Sequence, residues 1–138
     1  KSVLAEDVVR ICADNPLICA SEIDRLIDYF QQHPCDYAYN HIPRNNRYPD
    51  GIGAEICRME LLEEIHVKAN KAEYREHLFD YLWDYPEQYT IETFNPPKEL
   101  AHPELKLDLD THEDYKRLME KKYRIEMSAT EIVQTALH

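Results

Sequence analysis

The order of apolar and polar residues predicts an opening strand, a helix and a second strand. Residues 7–13 are rich in β-branched side chains and are followed closely by Asn15-Pro16, which is typical of a buried strand. A helix is expected next, with Ser21 as N-cap of a capping box that includes Asp24. Its apolar stripe has i, i+3, i+4, i+7 spacing and comprises Ile23, Leu26, Ile27 and Phe30.

Pro34 ends this helix, and residues 36–40 form the second predicted strand. A strand, a helix and a strand in immediate succession make a βαβ-like unit, so the two strands are expected to be parallel. The polar loop 41–50 follows. Gly51 and Gly53, the only glycines of the chain, come directly after it and indicate either a plain turn or a close approach of a ligand.

The remainder of the chain continues to alternate between strand and helix patterns, which indicates an α/β layer fold. Residues 105–109 have strict alternation, which places Lys106, Asp108 and Asp110 on one face. Ser128 and Glu131 form a second capping-box pattern before the last helix. The other predicted elements are strands at 53–57 and 89–94 and helices at 59–69, 72–83 and 111–122.

The chain of 138 residues fits one domain, and its net charge of −11 comes from 27 acidic and 16 basic residues. A polyanion such as nucleic acid would be repelled, because no basic run appears in the sequence. The negative net charge is still compatible with a small anionic ligand, because a few local arginines suffice to bind it.

The composition also bears on the cellular setting. Four cysteines lack any C-x-x-C or paired Cys/His spacing, which favours reduced thiols over a zinc site. No apolar run approaches the roughly 20 residues of a membrane helix and no signal peptide opens the chain, so we expect a cytoplasmic protein without a membrane partner. Lys1 in place of a methionine indicates a processed or truncated piece.

Two aspartates stand where predicted strands end. Asp14 closes the first strand and Asp110 closes the strand at 105–109. Ligands of open α/β sheets gather at the carboxyl ends of strands, and Mg²⁺ needs few protein ligands, so the pair predicts a magnesium site for a nucleotide. The alternatives are a turn cap for Asp14 and a helix cap for Asp110.

Several charged side chains are candidates for work on an anionic substrate. Lys106 can steady phosphate charge or form a local ion pair, and Arg10 interrupts an otherwise apolar strand. Glu55 is an acid inside a short strand, facing either a cleft or solvent. His77 lies either in the substrate site or packed at the edge of its helix. Candidate clamps for a carboxylate or phosphate are Arg10, Arg44, Arg47 and Arg75.

Other chemistries lack their sequence signatures. A single Glu-x-x-His, Glu63 to His66, falls short of the two that a di-iron bundle needs. No G-x-S-x-G elbow, Walker loop or G-x-G-x-x-G is present.

Read in order, four segments resemble the cytidylyltransferase family of the spore-coat polysaccharide biosynthesis type, relatives of the CMP-sugar-acid synthetases. The segments span nearly the whole chain and are residues 7–18 (DVVRICADNPLI), 48–55 (YPDGIGAE), 75–77 (REH) and 105–114 (LKLDLDTHED). The resemblance implies a nucleotide-diphospho-sugar transferase-like, Rossmann-like three-layer α/β sandwich. It implies a reaction that joins CTP to a sugar acid or sugar phosphate and releases pyrophosphate.

The resemblance also implies roles for individual residues. Asp14 and Asp110 would hold Mg²⁺. In the mechanism that we expect from this, Lys106 and Arg10 are the catalytic cations that offset the remaining charge. The sugar side would be lined by Asp50, Gly51, Glu55, Arg75 and His77. His112 and Lys106 stand where the family usually has proline and arginine. The family's first strand and its basic, glycine-containing loop have no counterpart here, so we expect either the C-terminal portion of such a domain, its N-terminal part removed, or a homologue that has lost that part.

An alternative of another functional class is that the chain is a non-catalytic module for sugar binding or dimerisation. Such a module could form a homodimer. The aromatic residues between Tyr74 and Tyr89, including Trp83, would then form an interface patch.

Overall fold

The computed structural model describes residues 4–138 and contains a four-stranded mixed sheet with helices on both faces. The strands are β1 (Asp7–Arg10), β2 (Tyr37–Tyr39), β3 (Glu55–Arg58) and β4 (Ile91–Glu92). The helices are α1 (Ala20–Gln32), α2 (Met59–Lys68), α3 (Glu73–Glu76), α4 (Asp80–Asp84), α5 (His112–Met119) and α6 (Ala129–Leu137), with 3₁₀ turns at Pro86–Gln88 and Lys98–Leu100.

The sheet has the spatial order β1-β3-β2-β4. β3 is antiparallel to both β1 and β2, so those two strands are parallel to each other, as predicted, but β3 lies between them. β4 is parallel to β2. The C-terminal ends of β1 and β2 therefore flank the first residue of β3, Glu55.

Alternation along the strands divides the core into two layers. Tyr37, Tyr39 and Cys57 pack against α2 and α4 on one face, together with Leu61 and Leu82. On the other face, the side chains that pack against α1 include Ala38 and Ile56 with Leu26 and Phe30. A third cluster joins α6 to the chain around Tyr48, Ile52 and Leu107. The predicted three-layer α/β sandwich is confirmed.

Several predicted boundaries are corrected. The first strand ends at Arg10, and the segment 89–94 is a strand only at β4. α1 begins at Ala20 with Cys19 as N-cap, so the capping box at Ser21 does not form. The side chain of Glu22 is instead drawn inward, where its carboxylate accepts hydrogen bonds from the Tyr48 hydroxyl (2.9 Å) and Arg25 Nε (3.1 Å).

Two further elements differ from the expectation. The helix predicted at 72–83 is broken into α3 and α4, because buried Phe79 turns inward to pack on Tyr37. The strand predicted at 105–109 is only an isolated bridge between Asp50 and Lys106, with Leu107 buried and Leu109 exposed. The helices at 59–69 and 111–122 are confirmed, one or three residues shorter at their C-terminal ends, and so is the capping box of Ser128 with Glu131.

No helix within residues 4–138 has both the length and the apolar character needed to cross a membrane.

Candidate functional site

A cavity of about 710 Å³ opens where the C-terminal ends of β1 and β2 meet the loops that follow them. Seven of the eleven predicted site residues line it: Arg10, Asp14, Arg44, Asp50, Glu55, His77 and Asp110. A cavity therefore lies at the carboxyl-end position expected from the sequence.

One wall of the cavity is acidic. The segment 105–110 is joined to the loop after β1 by a hydrogen bond from Leu109 N–H to the Asp14 carbonyl (2.8 Å). It is joined to the loop before β3 by two more, Asp50 N–H to the Leu105 carbonyl and Leu107 N–H to the Asp50 carbonyl, both 2.9 Å. These backbone bonds place the carboxylates of Asp14, Asp50, Asp108 and Asp110 on the same cavity.

Lys106 is the counter-charge of this wall. Its Nζ lies 2.9 Å from Asp108 Oδ1, 3.1 Å from Asp110 Oδ2 and 3.0 Å from Asp114 Oδ2. The predicted shared face of Lys106, Asp108 and Asp110 is thus realised without a regular strand. Lys106 itself lies beside the cavity and reaches it through these aspartates.

Asp110 does not cap α5. The N-cap is Thr111, which forms a capping box with Asp114. The hydrogen bond from Lys106 lowers the pKa of Asp110, so this half-exposed carboxylate is held ionised at the cavity. Asp14 makes no side-chain hydrogen bond to the described residues, so its carboxylate does not cap a turn, and its backbone carbonyl accepts from the distant Leu109 N–H.

Asp50 is a member of the acidic wall whose ionised form is disfavoured. Burial, and then the charge of Asp108, raises the pKa of Asp50 to about 6, although Lys106 acts in the opposite direction. Asp110 and Asp14 add to the rise. Four carboxylates against one lysine leave an excess of negative charge, which is an arrangement suited to a cation with oxygen ligands.

Replacement of Asp50 tests this charge excess. The pKa of Asp50 is about 6 in the folded protein and about 3.8 in the unfolded chain, so protonation of Asp50 stabilises the native state. This stabilisation is fully present below pH 3.8 and is lost as the pH rises through about 6. In chelator-containing buffer at pH 8, we expect Asp50→Asn to have a free energy of unfolding about 1 kcal/mol higher than the parent, after allowance for solvent screening, and therefore a higher Tm. Near pH 4 the two proteins should have the same Tm. Exposed Asp28→Asn is the control. A difference in Tm between Asp50→Asn and the parent that grows as the pH falls would contradict this electrostatic account.

The opposite wall is basic and aromatic. Arg10 Nη1 donates to Glu55 Oε2 (2.6 Å), and the Tyr37 hydroxyl donates to Glu55 Oε1 (2.6 Å), so the buried Glu55 has one donor on each carboxylate oxygen. The guanidinium of Arg44 lies 3.9 Å from the centroid of the Trp83 ring. Trp83 and Arg44 also border a second cavity of about 520 Å³ beside β4.

Four predicted residues do not line the main cavity. Arg47 and Arg75 are exposed elsewhere on the surface, and Lys106 lies just outside. Gly51 has φ of +103°, and a Cβ there would lie 2.7 Å from Asp108 N, so it shapes the acidic wall by close backbone approach. Residues that line the cavity but were not selected as site residues include Cys12, His41, Phe79, Trp83 and Asp108.

The known proteins that this sequence resembles include one from polysaccharide biosynthesis. No family model matches the sequence. The chain is 29% identical over 131 residues to the spore coat polysaccharide biosynthesis protein SpsF of Bacillus subtilis, covering 91% of the chain and 52% of SpsF. It is 26% identical over 127 residues to an uncharacterised protein of Methanocaldococcus jannaschii, covering 92% of the chain and 50% of that protein.

Among solved structures, a cytidylyltransferase from Leptospira borgpetersenii serovar Hardjo-bovis matches with a TM-score of 0.78 at 25% identity, covering 94% of this chain and 55% of that one. The fold is therefore the α/β fold of a nucleotide-sugar transferase. These similarities confirm the resemblance to the cytidylyltransferase family. The chain spans about half the length of the relatives it matches.

Proposed function

We propose that this chain carries part of the active site of a magnesium-dependent cytidylyltransferase. The enzyme would join CTP to a sugar acid or sugar phosphate in the synthesis of a surface polysaccharide. An oxygen of the sugar substrate would attack the α-phosphorus of CTP, and the bond to the β-phosphate would break to release pyrophosphate. The observation that carries the proposal is a single cavity with an acidic wall facing a basic, aromatic wall, in a chain similar to SpsF and to a cytidylyltransferase.

Asp14 and Asp110 are the residues that would hold Mg²⁺. They line one cavity, their segments are joined by the Leu109 to Asp14 backbone bond, and their donors are carboxylate oxygens. These features fit a hard cation that retains much of its water. When bound, the ion supplies positive charge to phosphate oxygens. Lys106 holds Asp110 in place and offsets the charge of the acidic wall.

The basic wall would bind the sugar substrate. Arg44 carries a guanidinium that can hold a carboxylate or phosphate with two hydrogen bonds, and the Trp83 ring beneath it limits where that guanidinium points. Arg10 is committed to Glu55, and this pair would keep the floor of the cavity rigid. Asp50 and His77 line the same cavity and would contact sugar hydroxyls.

A non-catalytic sugar-binding module is the second candidate. The feature that favours it is the Arg44–Trp83 stack, because an aromatic ring beside a charged group binds a sugar acid without any nucleotide.

Pyrophosphate release separates the two candidates. The chain is incubated with CTP, Mg²⁺ and a panel of sugar acids and sugar phosphates, and free pyrophosphate is measured. We expect release that Asp14→Asn lowers by at least about 100-fold, since it removes a charged group that positions the phosphates. Exposed Asp28→Asn should keep the parent rate. Release by Asp14→Asn at the parent rate would contradict the role of Asp14, and binding of a sugar acid without release would favour the module.

A further inference from the structure

Three side chains of different chemistry converge on the floor of the main cavity. Cys12 lies two residues beyond β1, His41 two residues beyond β2, and Glu55 begins β3 between these two strands. One ligand atom from each residue lies within 4.8 Å of the other two, and no other such group occurs within residues 4–138. The spacing in sequence, 29 and 14 residues, matches no zinc motif, so the sheet alone brings the three together.

His41 has an unusual environment for a largely buried imidazole. Its buried Nδ1 makes no hydrogen bond of normal geometry to a described residue, although the imidazole has a backbone contact with Ala54. Its Nε2 lies 3.6 Å from Glu55 Oε1, which is too long for a hydrogen bond. Nε2 therefore makes no hydrogen bond to Glu55 and faces its carboxylate, so it is the ring nitrogen that a bound ion would use as a ligand.

We propose that Cys12, His41 and Glu55 bind a divalent transition-metal ion of the zinc class, which goes beyond the proposed function. A thiolate, an imidazole and a carboxylate form a donor set that suits Zn²⁺ and is foreign to Mg²⁺. Two nitrogen or oxygen ligands on one tetrahedral zinc are about 3.3 Å apart, close to the 3.6 Å between His41 and Glu55. The Cys12 Sγ lies within 4.8 Å of both partners, against about 3.6 Å between a sulfur and a nitrogen or oxygen ligand on tetrahedral zinc, so the thiol would approach by at most about 1 Å.

The surroundings of Glu55 support a ligand role. The Tyr37 hydroxyl donates to Oε1 and Arg10 donates to Oε2, each at 2.6 Å, so the carboxylate is fixed in orientation by a buried tyrosine and an ion pair. An ionised carboxylate oxygen accepts two bonds, and Oε1 therefore keeps one acceptor position, on the side of His41.

Three protein ligands leave the fourth position of a tetrahedral ion available, as in catalytic rather than structural zinc sites. Because all three residues line the cavity, a water molecule or an oxygen of a bound anion would take that position. The ion would lie on the floor of the sugar side and would use none of the carboxylates assigned to Mg²⁺.

Cobalt spectroscopy tests the site directly. Metal-free protein is titrated with Co²⁺, and the thiolate-to-cobalt charge-transfer band is recorded, followed by Zn²⁺ competition against a chromogenic chelator. We expect one Co²⁺ per chain with that band, displaced by Zn²⁺ but not by excess Mg²⁺. Cys12→Ser should remove the band, and both Cys12→Ser and His41→Gln should weaken Zn²⁺ binding by more than about 100-fold, beyond what a change outside the ligand shell causes.

Matched variants decide the outcome. Cys35→Ser and His33→Gln, whose parent residues lie outside the cavity, should keep the band and the affinity. Asp14→Asn should also keep both, so failure of this proposal is distinct from failure of the cytidylyltransferase proposal. Circular dichroism verifies that each variant is folded. No thiolate band in the parent, or a band that survives Cys12→Ser, would overturn the site. If Cys12→Ser does not fold, loss of Zn²⁺ affinity in His41→Gln carries the test.

Discussion

Gly53→Ala is expected to destabilise the protein more than any other single-methyl addition in the described chain. A Cβ at Gly53 would overlap both the backbone carbonyl and the side-chain oxygen of Asn40. Neither can retreat, because Asn40 exchanges backbone and side-chain hydrogen bonds with Ala54 and donates to the Glu22 carbonyl (2.8 Å). We expect a loss of more than about 3 kcal/mol, the upper end of overpacking costs.

The measurement is thermal unfolding followed by circular dichroism, with a Tm lowered by roughly 10 °C or more. Gly51→Ala is the companion variant, since its positive φ and its contact with Asp108 also forbid a side chain. A Tm for Gly53→Ala within about 2 °C of the parent would show that the two strand ends can separate. The floor of the cavity would then be less rigid than described.

Arg10→Met is the second substitution with a large expected effect. It leaves the Glu55 carboxylate, only 3% exposed, with the Tyr37 hydroxyl as its remaining close donor. Removal of one partner of a buried pair costs 3–5 kcal/mol. We expect about 2 kcal/mol here, because the Arg10 side chain is 38% exposed and solvent already screens the pair.

A double-mutant cycle isolates the charge effect. Arg10→Met combined with Glu55→Gln should recover part of the loss, because the second change removes the unpaired buried charge. The matched control is Arg124→Met, which breaks an ion pair with Glu126 that is exposed on both sides and should cost less than about 0.5 kcal/mol. Equal losses for the two arginines, measured by urea unfolding, would contradict the role given to burial.

The features that the sequence predicts well are those set by local chemistry. The apolar stripe of α1 and the Ser128 capping box depend on residues close in the chain. Asp14 does not end a strand, because β1 ends at Arg10 and Asp14 lies in the loop that follows. The shared face of Lys106, Asp108 and Asp110 was also predictable from the alternation in 105–110, even where no regular strand forms. The place of Asp50 in the same acidic wall was not predicted.

The features that were not predictable depend on contacts between distant segments. Nothing near Glu55 in sequence indicates that β3 inserts between β1 and β2, and that insertion alone unites Cys12, His41 and Glu55. The break at His77 to Phe79 arises because Phe79 packs on Tyr37, a contact across 42 positions that local helix propensity cannot report.

The central claim is that the acidic wall of this chain binds CTP with Mg²⁺. The most direct measurement is thermal unfolding of the chain with Mg²⁺ and each of CTP, UTP, GTP and ATP, because a ligand that binds only the folded state must raise Tm. Our account predicts a rise with CTP, equivalent to about 2.7 kcal/mol at a hundredfold excess over Kd, and its loss in Asp14→Asn. No rise with CTP, or an equal rise in Asp14→Asn, would contradict it.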